Sequence, residues 1–271
     1  KEDDIIWTPT EKGRFLVSWI PPKEMQCQVT MKRDAFGVLS KHPVHDDIGC
    51  GGCDNYDQDS VQDSFVKETE NGAEHTLGSK GAYLLLMGTN LDNIPSNCFV
   101  VEYITRPQTA EIFFEDILMC SIFYSVPILI ENNKMGLLQH FYNKGYRGYC
   151  LSRFDKPMNR LSATEKKYGG MPSSGDDVIT KHWTSIETYI KKYVGIYYQN
   201  DDLYPIREEG DIGQMPFNRT LKDWLKFNIQ NRTKSDASIA SGLAIMGVNR
   251  KNYAPKERER QPLVLKLQRY N

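Results

Sequence analysis

The stretch "PILIENNK", residues 127 to 134, decides how this chain is read. Pro127 to Ile130 is an apolar run of the kind that makes a buried strand, and it leads straight into a carboxylate, Glu131, then two amides and Lys134. A buried acid is costly because desolvation opposes its charge. Glu131 therefore either surfaces at the strand end or meets a cation there.

The flanking sequence supplies the frame. Upstream, "QTAEIFFEDILMCSIFYS" (108–125) places Ile112, Phe113, Ile117, Cys120 and Phe123 at close to helical spacing, with Thr109 as the expected cap. Downstream, a short helix "GLLQHFYNKG" (136–145) leads to an expected strand, "YRGYCLS" (146–152). Further upstream, "IGCGGCD" (48–54) reads as a strand running into the turn-rich "DNYDQDS". It is followed by two β-rich runs, "GAYLLLMGTN" and "CFVVEYITR", expected as antiparallel neighbours. Three strands, helix, strand, helix, strand implies an α/β fold with one mixed sheet and helices packed on it. In such sheets sites collect at the carboxyl ends of strands. Asp54 and Glu131 both close a strand; if those strands are parallel neighbours, the two acids reach one rim.

After residue 152 the chain turns polar. "RFDKPMNRLSATEKKYGGMPSSGDD" (153–177) reads as an extended loop or hairpin. Helices are expected at "VITKHWTSIETYIKKYV", "RTLKDWLKFNI" and "DASIASGLAIMGV", the last starting at Asp236. Residues 1–45 have no clear period and read as a linker or docking segment, and Lys1 suggests an excised part of a longer chain.

With 271 residues, 39% hydrophobic and 25% charged, the chain can bury a core and disorder is not the default. The apolar stretch 117–130 is too short to span a membrane and is interrupted by Pro127. Six cysteines include one close pair, "CGGC"; a zinc site would want a second pair, so they read as reduced intracellular thiols in or near the core. A net charge of −1 leaves any nucleic-acid partner to be met by local positive charge.

Three acids carry the chemistry, and each has a plainer role on offer. Asp54 could form a turn through its own side chain, Glu131 could simply surface, and Asp236 could be a helix N-cap. Together they make a more specific set. Carboxylates from two strand ends and one helix start repel one another unless a divalent cation neutralises them, and all-oxygen ligation suits magnesium or manganese. Two such ions are the usual apparatus for attack on a phosphodiester, one activating water and the other stabilising the departing oxygen.

On "GCDNYDQDS", "VVEYITRPQTAEIFFEDILMCSIFYSVPILIENNKMG" and "NRTKSDASIASGLAIMG", the chain resembles the nuclease domain of the large terminase subunit of tailed bacteriophages. That resemblance covers residues 46–248 and implies a ribonuclease H-like fold with helices on both faces of the sheet. It implies Asp54, Glu131 and Asp236 as catalytic metal ligands for two Mg²⁺ or Mn²⁺ ions that cut double-stranded DNA during genome packaging. Implied partners are the DNA, an N-terminal ATPase domain joined through residues 1–45, the portal and the small subunit, all in the host cytoplasm at the procapsid. No membrane partner is implied. A phosphate-binding "GxxxxGK[ST]" loop is missing; "TLGSKGA" has the wrong spacing, which argues against ATPase activity in this chain. The family's third motif often pairs two acids, whereas Asp236 stands between Ser235 and Ala237. Candidates for a fourth ligand are Asp57, Asp59, Asp176 and Asp177, the last two having a helix-opening role available. For DNA contact the expected groups are Lys134, the loop with Lys156, Arg160, Lys166 and Lys167, and the tail 249–271, basic on balance. Within the same fold a junction resolvase or ribonuclease H proper is the alternative, and a non-catalytic docking module the alternative outside it.

Overall fold

The computed structural model describes residues 3–34, 37–56, 67–69, 72–74, 80–88, 94–173, 175–194, 214–227 and 235–254. In chain order the strands are β1 (Leu16–Val17), β2 (Val29–Arg33), β3 (Leu39–Pro43), β4 (Gly49–Asp54), β5 (Lys67–Thr69), β6 (Gly72–Glu74), β7 (Gly81–Met87), β8 (Cys98–Thr105) and β9 (Ile128–Ile130). The helices are α1 (Ala110–Tyr124), α2 (Gly136–Asn143), α3 (Ala163–Tyr168), α4 (Asp176–Tyr189), α5 (Asn218–Lys226), α6 (Asp236–Val248) and α7 (Arg250–Tyr253).

One five-stranded mixed sheet, in the order β1-β8-β7-β4-β9, organises the molecule. β4, β7 and β8 form an antiparallel meander, and β9 joins β4 in parallel with Gly51 opposite Ile128 and Cys53 opposite Ile130. Side chains alternate between faces along each strand. Tyr83, Leu85, Ile128 and Ile130 enter the core shared with α1 and α2. Cys50, Leu84, Leu86 and Leu129 enter the core shared with α4, α5 and α6. Helices thus cover both faces.

Small residues decide which helix lies deepest. A Cβ at Gly52 would stand 2.0 Å from the Ala240 carbonyl oxygen and 2.3 Å from the Ala244 nitrogen, so the backbone of α6 lies directly on β4. At the far end, a Cβ on Gly247 would meet the Cys50 sulfur at 2.4 Å. α6 therefore runs antiparallel to β4, and its N-terminus sits at β4's carboxyl end.

Two local expectations are corrected and a third is met in part. "YRGYCLS" is not a full strand: a 3₁₀ turn takes Arg147–Tyr149, and only single parallel bridges, Cys150 with Ile128 and Ser152 with Gly170, follow. Its cause is Arg147, buried, whose guanidinium donates to the carbonyls of Cys150 (2.6 Å), Lys167 (2.7 Å) and Lys166 (3.3 Å) and so gathers the chain into a knot. Within 153–177 lies a further helix, α3, opened by a capping box in which Ser162 accepts from the Glu165 N–H and Glu165 from the Ser162 N–H. Thr109 stands at the N-cap of α1, but its side chain makes no cap bond.

The segment expected as a linker lies against the sheet. β1 pairs with β8, Trp7 packs on Phe15, Phe123 and Tyr124, and Arg14 pairs with the buried Asp116 at 2.7 Å. Among the described residues no helix is long and apolar enough to cross a membrane. All six cysteines are free thiols, four of them buried.

Candidate active site

The register of the sheet places the first two acids. Because Cys53 faces Ile130 and the Glu131 N–H donates to the Cys53 carbonyl at 2.9 Å, Asp54 and Glu131 are the next pair along parallel strands. Both turn to the α6 side, since Cys53 and Ile130 point to the opposite core. The antiparallel run of α6 brings Asp236, its first residue, to the same rim. Glu131 is buried, while Asp54 and Asp236 are partly so.

The acids act on one another electrostatically. Asp54 has its carboxyl pushed well above the usual range by burial, then by the neighbouring Glu131, with which it shares a hydrogen bond, and by Asp236; Lys134 opposes the shift. Asp236 is raised from 3.8 to about 6, chiefly by burial and then by the carboxylate of Asp223, with the Lys80 N–H and Lys134 pulling the other way. The rim is short of positive charge. The three acids offer oxygen ligands, which suits a hard divalent cation. As placed, however, no three His, Cys, Asp or Glu side chains among the described residues are arranged as a ready ligand set. The fit therefore rests on the Asp54–Glu131 contact, with Asp236 close enough to act on both.

The structure also settles the plainer role of Asp236. Ser235 is the N-cap residue of α6, and the orphan N–H of Ser238 is taken by Asp223 on α5, whose Oδ2 accepts from the Ser238 nitrogen and hydroxyl at 2.7 Å each. Asp236 instead accepts the N–H of Lys80 at the edge of β7. It is not spent on capping its own helix.

Several site residues were not singled out in the sequence. Ser173 donates its hydroxyl to Glu131 Oε1, and Asn133 Nδ2 donates to the same oxygen at 2.8 Å. Asn55 and Lys134 clasp the ends of the two strands: Asn55 Nδ2 donates to the Lys134 carbonyl (3.1 Å) and Lys134 Nζ to the Asn55 carbonyl (3.0 Å). Lys134, expected at DNA, thus also serves the rim itself. The only advance signal was the pair of amides after Glu131.

Of the fourth-ligand candidates, Asp57 and Asp59 lie outside the described residues, Asp176 opens α4 and Asp177 is exposed beside it. Asp223, which is none of these, is the extra carboxylate acting on Asp236. Lys156, Arg160 and Lys167 are exposed on the segment 153–169, and Lys166 is half-buried. That segment leaves and rejoins the sheet at the Ser152–Gly170 bridge, beside the bridge between Glu131 and Met171. The tail beyond Ala254 lies outside the described residues.

These shifts make a stability prediction for cation-free protein. A carboxyl whose folded pKa is raised adds stability below its unfolded pKa and loses it as pH rises through the folded value. For Asp236 that window runs from 3.8 to about 6. One pKa unit is worth about 1.4 kcal/mol, and solvent screening at a partly exposed group reduces the total to about 1–2 kcal/mol. Asp236→Asn is expected to melt roughly 2–8 °C above wild type at pH 8 in chelator, with the gain gone at pH 4. Equal differences at both pH values, read by calorimetry, would refute it.

No family model matches the chain, and no curated protein is significantly similar to it.

Proposed function

We propose that this chain is a metal-dependent endonuclease of ribonuclease H-like fold that cuts double-stranded DNA, acting as the nuclease part of a phage genome-packaging terminase. One observation carries the reading: carboxylates end two adjacent parallel strands on the face covered by α6, whose first residue is the third acid. The strand order, an antiparallel meander with β9 added in parallel beyond its first strand, supports the fold assignment.

Asp54 and Glu131 would hold a divalent cation between them, with Asp236 completing the oxygen set. Bound ions would supply activation of water and stabilisation of the departing oxygen. The protein's own contribution is positional. The β4–β9 ladder fixes the two strand-end acids, β4–α6 packing fixes the third, and Lys134 partly offsets their charge. Substrate would approach over the basic segment 153–169, rooted at the same rim. Nicking of supercoiled plasmid in Mn²⁺ or Mg²⁺ against chelator tests the activity. Preferred cutting of four-way junctions, or of RNA in a hybrid, would instead reassign it within the same fold.

The basic segment yields a separate expectation. Each phosphate contact contributes about −0.9 to the slope of log K against log salt. The double variant Lys156→Ala/Arg160→Ala is expected to flatten that slope by about 2 units for a duplex of any sequence. Fluorescence anisotropy over a salt series reads it, and an unchanged slope would place the DNA elsewhere.

A further inference from the structure

A segment outside all three acidic motifs reaches the rim. After α3 the chain passes Gly169 and Gly170, both at positive φ (+85° and +83°), and turns alongside the end of β9. A Cβ at Gly170 would lie 2.9 Å from the Ile130 carbonyl oxygen, so only glycine permits this approach. Backbone bonds then fasten the segment: the Met171 N–H donates to the Ile130 carbonyl (2.9 Å), and the Asn132 N–H to the Met171 carbonyl (3.0 Å). Two residues later Ser173, buried, stands over Glu131.

The polar groups there fall into a self-consistent arrangement. Asn133 Nδ2 carries two hydrogens and faces two acceptors, Glu131 Oε1 at 2.8 Å and the Ser173 oxygen at 3.2 Å. Because the Ser173 oxygen accepts from Asn133, its own hydrogen is directed to Glu131 Oε1. Both donors converge on the same carboxylate oxygen. Terminal carboxylate torsions are broad, so an untethered Glu131 would sample many orientations.

We infer that Ser173 and Asn133 are a positioning pair that holds Oε1 of Glu131 and thereby fixes its carboxylate against Asp54, presetting the two acids for a divalent cation. This inference rests on the metal-dependent reading above. Groups that orient a ligand from behind commonly alter metal affinity by about 10–100-fold when removed.

The test is Mn²⁺ titration by calorimetry of the full 271-residue chain, wild type against Ser173→Ala, Ser173→Thr and Asn133→Ala. Ser173→Ala and Asn133→Ala are expected to weaken Mn²⁺ binding by about 10–100-fold. Ser173→Thr, which keeps the hydroxyl, is expected to restore most of it. In plasmid cleavage the loss should fall on kcat with KM for DNA unchanged. Melting in chelator identifies any variant that fails to fold, and Asn133, exposed, provides the milder substitution. Wild-type Mn²⁺ affinity in folded Ser173→Ala and Asn133→Ala would overturn the positioning role and leave the nuclease reading standing. Absence of Mn²⁺ binding in wild type would overturn both.

Discussion

Glu131→Gln is expected to lower plasmid nicking in Mn²⁺ by roughly 10³-fold or more, equivalent to about 4 kcal/mol of lost transition-state stabilisation, while the protein melts higher in chelator than wild type. The two signs follow from one geometry. Glutamine keeps the size of glutamate and an oxygen able to accept from Ser173 and Asn133. Its amide nitrogen offers a hydrogen to Asp54, where wild type crowds two acids whose burial and mutual repulsion hold a proton on Asp54. Removing that repulsion stabilises the metal-free fold and removes half of the strand-end pair that would hold the cation. Asp54→Asn should behave alike. A cation at 100 times its Kd stabilises wild type by about 2.7 kcal/mol, roughly 5–11 °C, and both variants should lose that response. A docking module whose acids are only turns and caps has no activity to lose and no cation response to abolish. Undiminished cutting by a folded Glu131→Gln would end the catalytic assignment.

How much of this could be read in advance depended on whether local physics or a tertiary contact decided the matter. Glu131 stood out because nothing in "ILIE" needs an acid, and the one condition for a shared rim, parallel pairing of its strand with "GCGGCD", is met in the fold. Their shared rim was therefore legible. Ser173 was not, because its place depends on a reversal at two glycines and on pairing across β9, neither of which leaves a periodic trace. The exchange by which Asp223 caps α6 and frees Asp236 is a contact between two helices, and a single Asp before an apolar helix reads as a cap whichever residue does the capping. α3 was hidden by its length, since six residues are too few for apolar periodicity; only the "SATE" capping box marked it. "YRGYCLS" has strand propensity, but the carbonyls gathered by Arg147 override it.

The second large effect concerns packing. Gly52→Ala is expected to cost about 3 kcal/mol or more, lowering the melting midpoint by roughly 6–12 °C, although it adds one methyl group to the interior of a strand. The new Cβ would fall 2.0 Å from a carbonyl oxygen and 2.3 Å from a nitrogen of α6. Those are backbone atoms in a helix held by its own hydrogen bonds, so relief requires α6 to move as a body away from β4. At Gly242, by contrast, the added Cβ would meet a side chain rather than backbone, the Nδ1 of His182 at 2.5 Å. Gly13→Ala, with its nearest contact at 3.2 Å to the methyl of Thr10 on an exposed segment, should stay within about 0.5 kcal/mol of wild type and serves as the control. Displacing α6 carries Asp236 away from Asp54 and Glu131, since all three are positioned by this contact and the β4–β9 ladder. Whatever fraction of Gly52→Ala remains folded should therefore bind Mn²⁺ more weakly per folded molecule than wild type. A stable Gly52→Ala protein with undiminished Mn²⁺ affinity would show that the glycine is not what brings the helix-borne acid to the sheet.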